Sequence, residues 1–124
     1  MARLYEYQGK KLLDEAGVPV PKGKVAYTPE EVRTVVEEIG GAVVVKAQVW
    51  STGRLKAGGI RFADTSEESE EKARALIGSE VKGHEVKSVL VEEKLDIDKE
   101  YYLGVIVDDS YEAKAPIVIF STEG

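Results

Sequence analysis

The stretch of chain from residue 43 to residue 62 constrains the fold most strongly. A largely β-branched apolar run, Val43–Val49, carries Lys46 into a glycine-containing loop, Trp50–Gly59, and a short apolar run, Ile60–Phe62, follows it. Valine and isoleucine fit the pleated surface of a sheet, and glycine marks the turn between two strands. The sequence therefore predicts a strand, a loop and a second strand here.

This stretch is also a basic window in an acidic chain. The net charge is −6, yet the residues from Ile39 to Ala63 include no Asp or Glu and four cations: Lys46, Arg54, Lys56 and Arg61. A polyphosphate needs several positive charges and nearby backbone N–H groups, and glycines let the backbone approach it. The window therefore predicts a phosphate-binding loop. It is not a Walker A loop, because no Gly-Lys-Ser/Thr opens a helix.

Length and composition narrow the class of protein. The 124 residues suit one domain, and we expect a single unit spanning residues 1–124. The absence of cysteine excludes a disulfide scaffold, a cysteine-ligated zinc site and a cysteine nucleophile. The acidic net charge argues against a nucleic-acid partner. No signal core and no apolar run near the ~20 residues of a membrane span is present, so we expect no membrane contact and a cytoplasmic location.

Periodicity and capping signals predict an α+β (or α/β) fold with helices packed on a mixed sheet. Thr28 and Thr65 are predicted N-caps, each with a glutamate three residues later that could complete a capping box. The expected order is helix 4–16, strand 24–27, helix 29–39, strand 43–49, strand 60–62, helix 66–77, a loop or weak strand 79–87, and strands 88–94, 100–107 and 115–120.

Several short motifs together resemble one family, the β subunits of succinate–CoA ligase (succinyl-CoA synthetase). They follow one another in order along the whole chain, which makes the match specific. The motifs are Tyr5–Leu13, Gly17–Gly23, Lys46–Val49, Gly53–Arg54, Lys56–Gly59, Leu90–Glu92, Lys99–Gly104 and Ser121–Gly124. The resemblance implies the N-terminal part of an ATP-grasp fold. Because the chain stops directly after an apolar strand, we expect it to be the first part of a longer β subunit.

The resemblance also implies an activity and its cofactors. Such an enzyme couples the interconversion of succinate and succinyl-CoA to ATP synthesis or hydrolysis in the tricarboxylic acid cycle. It uses ATP or GTP, Mg²⁺ and coenzyme A, and its partner is the α subunit of the same ligase. The resemblance places the Mg²⁺ ligands beyond Gly124 and no catalytic residue in this stretch, so we expect these 124 residues alone to be inactive.

The predicted phosphate contacts come from the basic window. By resemblance, Lys46 and Arg54 hold the phosphates, and Gly53, Arg54 and Leu55 form the nucleotide-contacting loop, with Leu55 contributing its backbone. Lys46 follows three valines, where an unpaired ammonium is costly, so a bound phosphate is one explanation of its charge. The alternative is a lysine whose stem packs while its ammonium reaches solvent. The loop glycines could likewise form a turn on a solvated face.

The predicted base and ribose contacts come from two acids and one backbone segment. In the family, the positions of Glu92 and of the Leu95 backbone lie at the adenine, and the position of Glu100 receives the ribose hydroxyls. The residue types suit this role, because a carboxylate accepts hydrogen bonds from an amino group or from two hydroxyls. The alternative is that these acids are simply solvated, since other acids surround them.

The sequence departs from the family pattern at two positions, and three other polar residues have types that occur in catalytic or metal sites. Trp50 stands where the family has a histidine, and Leu55 stands where it has a glycine. His84, the only histidine, lies in a polar glycine-containing stretch without a motif, and the family's phosphorylated histidine belongs to the α subunit. Asp108 and Asp109 are better explained by a turn than by a metal site. We therefore assign no catalytic role to His84 and no metal to the aspartates.

Other functions remain open at this point. Related ATP-grasp acyl-CoA ligases share this type of N-terminal stretch: malate–CoA ligase, ADP-forming acetate–CoA ligase and ATP-citrate synthase. A protein-interaction module that kept the fold and lost the nucleotide is a further alternative. The acid substrate, the choice between ATP and GTP and the assembly state are not determined by these residues.

Overall fold

The computed structural model describes residues 3–110, 112 and 114–123. Gly124 of the predicted Ser121–Gly124 motif lies outside the described residues, as do Met1 and Ala2 of the predicted unit. The elements are α1 (Glu6–Glu15), β1 (Gly23–Ala26), α2 (Pro29–Ile39), β2 (Val43–Ala47), β3 (Ile60–Ala63), α3 (Ser66–Leu76), β4 (Glu80–Val81), β5 (His84–Glu85), β6 (Val89–Glu93), β7 (Tyr102–Asp108) and β8 (Ala115–Ser121). The predicted α+β class is confirmed.

A four-stranded sheet with the order β1-β6-β2-β3 organises the molecule. Each of its three strand pairs is antiparallel, and in β2 Val45 lies opposite both Val91 and Arg61. Because side chains alternate along a strand, β2 sends Val43, Val45 and Ala47 to one face and Val44 and Lys46 to the other. The predicted strand, loop and strand between residues 43 and 62 are thus present.

The first face of the sheet is the core. Valines of β2 and β6 pack there against α2 and α3, and members of this cluster such as Val32, Val45 and Ala73 are fully buried. The second face carries Lys46 and Glu92 and lies towards α1, which itself contains no buried residue. The two faces therefore differ in chemistry, because one is an apolar core and the other holds charged groups.

The two best-capped helices begin as predicted. The hydroxyls of Thr28 and Thr65 accept hydrogen bonds from the N–H groups of Glu31 and Glu68, each at 3.2 Å. The glutamate carboxylates differ from a capping box, since they accept from the N–H of the residue before the cap, Tyr27 or Asp64. The two carboxylates thus accept from backbone N–H groups that the threonine hydroxyls do not bind. Helix α2 ends at Gly40 with φ +76°, the left-handed conformation that glycine adopts without cost.

The remaining strands form two small antiparallel pairs. The stretch predicted as a loop or weak strand contains β4 and β5, two residues each. The strand predicted to begin at Glu100 begins at Tyr102, so Glu100 lies in the preceding loop. Strand β7 pairs with β8, and apolar side chains of this hairpin such as Leu103 (69% exposed) and Val107 (76%) face outward. Within the residues described here, no helix is long and apolar enough to cross a membrane.

The cap of α2 offers a test of this local chemistry. Thr28→Ala removes the acceptor for the Glu31 N–H, so we expect the free energy of unfolding to fall by about 1 kcal/mol. Thr34→Ala is the matched control, because Thr34 lies in the same helix and caps nothing; its effect should stay within about 0.5 kcal/mol. Urea unfolding of both variants measures the difference. Equal losses would contradict the assigned cap.

Candidate functional site

Lys46 lies near the end of β2 on the second face of the sheet, and its ammonium is paired with two carboxylates. Its Nζ is 3.0 Å from Glu6 Oε1 and 2.6 Å from Glu92 Oε2. The sequence offered two explanations for this lysine: an ammonium that only a bound phosphate would pair with, or one that reaches solvent. The structure shows a third arrangement, in which the ammonium pairs with carboxylates of the same chain. The charge of Lys46 is compensated within the chain.

Glu6, at the start of α1, joins Lys46 to Arg54. Its second oxygen, Oε2, accepts a hydrogen bond from Arg54 Nη2 at 2.5 Å, and Arg54 Nη1 donates to the Ala47 carbonyl at 2.8 Å. Lys10, one helical turn after Glu6, lies 3.3 Å from it and also donates to Glu92. We refer to these five residues, Glu6, Lys10, Lys46, Arg54 and Glu92, as the ion network.

The ion network is partly buried, and the opposite charges of its members keep Glu6 and Lys46 ionised. Only 2% of Glu92 is exposed. Burial alone would raise the pKa of Glu6, but hydrogen bonds and charge from Arg54 and Lys46 outweigh it and lower that pKa to about 2. Burial likewise opposes the charged form of Lys46, yet Glu92 and Glu6 raise its pKa above the ordinary value. Both groups are therefore ionised at neutral pH.

A cavity of about 290 Å³ opens on the second face beside the ion network, and we call it the second-face cavity. Five of the seven predicted site residues line it, together with apolar side chains that include Phe62 and Ile97. The five are Lys46, Leu55, Glu92, Leu95 and Glu100. The structure thus brings the strand lysine, the loop and the Glu100 segment to one cleft.

The other two predicted residues, Gly53 and Arg54, lie beside this cleft. Arg54 lines a neighbouring cavity of about 350 Å³ with Glu6 and Trp50. Gly53 has φ +69°, which only glycine adopts readily, and a Cβ at this position would lie 3.1 Å from the Lys82 ammonium. The loop turns at Gly53 and presents Arg54 to the ion network.

Two cations of the basic window do not join the site. Lys56 is exposed in the loop. Arg61 alternates with Ile60 along β3, so it points to the opposite face, where it lines another cavity with Glu68 and Lys72 of α3. Of the four cations of the window, only Lys46 and Arg54 belong to the ion network, and their binding of phosphate stays a prediction.

Trp50, which the resemblance marked as a departure from the family pattern, has a structural partner. Its ring stacks on that of Tyr5, with centroids 5.0 Å apart and planes 12° apart. Tyr5 is the N-cap of α1, so the stack fixes the start of α1 against the loop. The departure at Trp50 thus helps to position Glu6, the next residue after Tyr5.

Glu6 and Lys10 are functional candidates that the pattern analysis missed. The only local signal is their spacing of four residues, which lets them pair on one side of a helix. Their partners Lys46 and Glu92 follow 40 and 82 residues later along the chain. No periodicity could connect them, although Glu6 lies inside the Tyr5–Leu13 motif of the resemblance.

Asp108 lies at a turn and His84 lies in a hairpin. Asp108 accepts a hydrogen bond from the Ser110 N–H, which is the geometry of a turn. His84 is exposed in the β4–β5 hairpin. Throughout residues 3–110, 112 and 114–123, no group of three or more His, Cys, Asp or Glu side chains could hold a metal ion.

Comparisons with known proteins give a consistent picture. A family model described as ATP-grasp domain matches residues 3–124. The GDP-forming succinate–CoA ligase β subunit of Thermus thermophilus is 54% identical over 98% of this chain and 32% of that protein. The ADP-forming β subunit of Rubrobacter xylanophilus is 50% identical over 98% of this chain and 31% of that protein. The chain thus spans about a third of the length of these relatives, and the resemblance that the motifs carry is confirmed.

A solved structure extends the comparison to another enzyme. The dinucleotide-forming acetyl-coenzyme A synthetase 1 of Ca. Korarchaeum cryptofilum, in complex with coenzyme A and acetyl-coenzyme A, matches with a TM-score of 0.76 and 25% identity. The match covers 98% of this chain and 53% of that one. The fold described above is therefore shared with that synthetase.

The lowered pKa of Glu6 predicts how acid affects stability. Its pKa falls from 4.5 to about 2 on folding, so its ionised form adds stability above about pH 4.5 that is lost as the pH falls towards 2. Glu6→Gln should therefore lower the melting temperature at neutral pH, and the difference from wild type should shrink on acidification.

Differential scanning calorimetry between about pH 7 and pH 3 measures this difference. Glu15→Gln is the control, because Glu15 is exposed at the far end of α1. A Glu6→Gln deficit that is unchanged at the acid end would contradict the role of the Glu6 charge.

Proposed function

Because the chain belongs to the ATP-grasp domain family, we propose that it supplies one side of the nucleotide site of a succinate–CoA ligase β subunit. The names of the relatives from Thermus thermophilus and Rubrobacter xylanophilus support this activity. The observation that carries the proposal is the second-face cavity, because it is lined by the partly buried Lys46, the loop residue Leu55 and the exposed Glu100, which come from three separate segments.

Lys46 and Arg54 are proposed to hold the nucleotide's phosphates. Lys46 uses two of its three N–H groups on carboxylates, and Arg54 uses two of its five on Glu6 and the Ala47 carbonyl. Each therefore retains donors for phosphate oxygens. Phosphoryl transfer requires from a protein mainly the positioning of the phosphates and stabilisation of their charge, and both cations suit this task.

The base and ribose are proposed to lie in the second-face cavity, which Lys46 also lines. Leu95 could contribute its backbone, and Phe62 and Ile97 offer apolar surface for a ring. Glu100 is exposed, so its carboxylate is free to accept from two ribose hydroxyls. The Glu92 carboxylate is held by Lys10 and Lys46, so we propose that its side chain serves the nucleotide through Lys46 rather than by contacting adenine.

The remaining components of the reaction follow from the resemblance and from the relatives' names. The names of the two relatives include CoA and a β subunit, so we propose coenzyme A as co-substrate and an α subunit as partner. We propose ATP or GTP as nucleotide, since one relative is GDP-forming and another ADP-forming. We also propose Mg²⁺ as a cofactor, as the resemblance implies, and assign no residue of this chain to it.

A second candidate is an acetate-specific CoA ligase. The similarity to the acetyl-coenzyme A synthetase of Ca. Korarchaeum cryptofilum supports this candidate. The sequence identity to that protein is 25%, whereas the identities to the two succinate–CoA ligase β subunits are 54% and 50%, so succinate is the preferred proposal. A panel of succinate, malate, citrate and acetate, tested with the full-length subunit and its α partner, separates these substrates. Succinate should give the highest kcat/KM.

Lys46→Ala tests the phosphate role. Without the ammonium, the charge of the phosphates is no longer compensated at this point, so nucleotide-dependent succinyl-CoA formation should fall by about 100-fold or more in kcat/KM. The assay uses the full-length subunit assembled with its α partner. Lys72→Ala is the control, because Lys72 lies on α3 beyond the opposite face of the sheet; it should leave turnover unchanged. Normal activity of Lys46→Ala would refute the phosphate assignment.

Glu100→Ala tests the ribose role. Loss of hydrogen bonds to a charged acceptor should raise the KM for the nucleotide about 10-fold with little change in kcat. Asp98→Ala is the matched control, since Asp98 is exposed in the same loop and does not line the cavity. A similar KM for the two variants would show that Glu100 makes no nucleotide contact.

A further inference from the structure

We propose that Glu6 is a positioning residue of the phosphate site: its carboxylate fixes Lys46 and Arg54 relative to each other and stays in place when the nucleotide binds. The proposal rests on the proposed function, because it takes those two cations as the phosphate contacts. It concerns a residue of α1 that lies outside the loop and strand from which the phosphate contacts come.

The geometry makes one carboxylate the link between the two cations. Oε1 of Glu6 is 3.0 Å from Lys46 Nζ, and Oε2 is 2.5 Å from Arg54 Nη2. Lys46 belongs to a rigid strand, whereas Arg54 belongs to a loop that has φ +69° at the preceding glycine. Glu6 therefore ties a loop arginine to a strand lysine, which sets the distance between their remaining donors.

Glu6 is fixed by its neighbours on both sides. The Tyr5 ring stacks on Trp50, and the Tyr7 N–H donates to Gln48 Oε1 at 3.2 Å. Both partners belong to the segment that follows β2, so the start of α1 has two attachments to that segment besides the salt bridges. A partly buried carboxylate with three cationic partners would lose much stabilisation by swinging out. This argues against a residue that the phosphates displace.

Two possible roles of Glu6, lowering the local charge and positioning the cations, predict different results when its charge is removed. The ion network holds three cations and two carboxylates, so neutralising Glu6 raises its net charge from +1 to +2. If charge alone mattered, phosphate would bind more tightly. If Glu6 positions the cations, binding changes little but turnover falls, because a shift of about 1 Å in a catalytic geometry can cost about 100-fold.

The experiment compares Glu6→Gln with wild type in the full-length subunit assembled with its α partner. We expect kcat for nucleotide-dependent thioester formation to fall between about 10-fold and 100-fold. The Kd for inorganic pyrophosphate, measured by calorimetry, should stay within about 3-fold of wild type. Glu15→Gln, the same substitution at the other end of α1, should match wild type in both measurements.

Two further variants keep the test decisive. Glu6→Asp retains the charge but is one methylene shorter, so it cannot span both cations and should also lower kcat; it serves if Glu6→Gln does not fold. In an Arg54→Ala background, Glu6→Gln should lower kcat by a clearly smaller factor than in wild type, because part of its effect acts through Arg54. A purely structural role would give the same factor in both backgrounds.

Three results would overturn the proposal: a wild-type kcat in Glu6→Gln or Glu6→Asp, pyrophosphate binding at least 10-fold tighter in Glu6→Gln, or full additivity with Arg54→Ala. The second would mean that Glu6 competes with phosphate. Failure here remains distinct from failure of the proposed function. An inactive Lys46→Ala beside a fully active Glu6→Gln refutes only the role of Glu6, whereas an active Lys46→Ala refutes the phosphate site itself.

Discussion

The burial of a lysine in the central strand is the constraint on which the second face of the sheet depends. An ammonium beside three valines is costly unless opposite charge and hydrogen bonds surround it. Strand β6 supplies Glu92 from the neighbouring ladder, where it lies opposite Val44 and so shares a face with Lys46. Helix α1 supplies Glu6. The charged face is therefore assembled from segments that lie far apart in the sequence.

The position of α1 follows from this requirement. The helix has no buried residue, so apolar packing of the kind that holds α2 and α3 contributes little to its placement. Salt bridges from Glu6 and Lys10, the Tyr7–Gln48 hydrogen bond and the Tyr5–Trp50 stack hold it instead. Hydrogen bonds and salt bridges depend more strongly on direction than apolar packing does. They therefore fix the orientation of α1, whose first turn carries Glu6 of the ion network.

The features that the sequence predicted are those with local causes. The caps at Thr28 and Thr65 and the strands flanking the basic loop depend on residues within a few positions of each other. The ion network was not predictable in this way, because the contacts that join α1 to Glu92, Lys46 and Arg54 each span 40 residues or more. The grouping of Lys46, Leu95 and Glu100 was expected only from the family resemblance, since periodicity places residues on faces but does not bring distant loops together.

A window of like charges in a sequence is therefore a weak guide to a binding surface unless strand alternation is taken into account. In β3, Arg61 points away from the site because Ile60 points towards it. In the loop, Arg54 turns inward while Lys56 remains exposed. The acids that neutralise the inward cations come from outside the window, from α1 and β6. The second-face cavity is lined by two lysines and three glutamates, so selectivity for an anion there must come from the direction of the remaining N–H groups more than from charge.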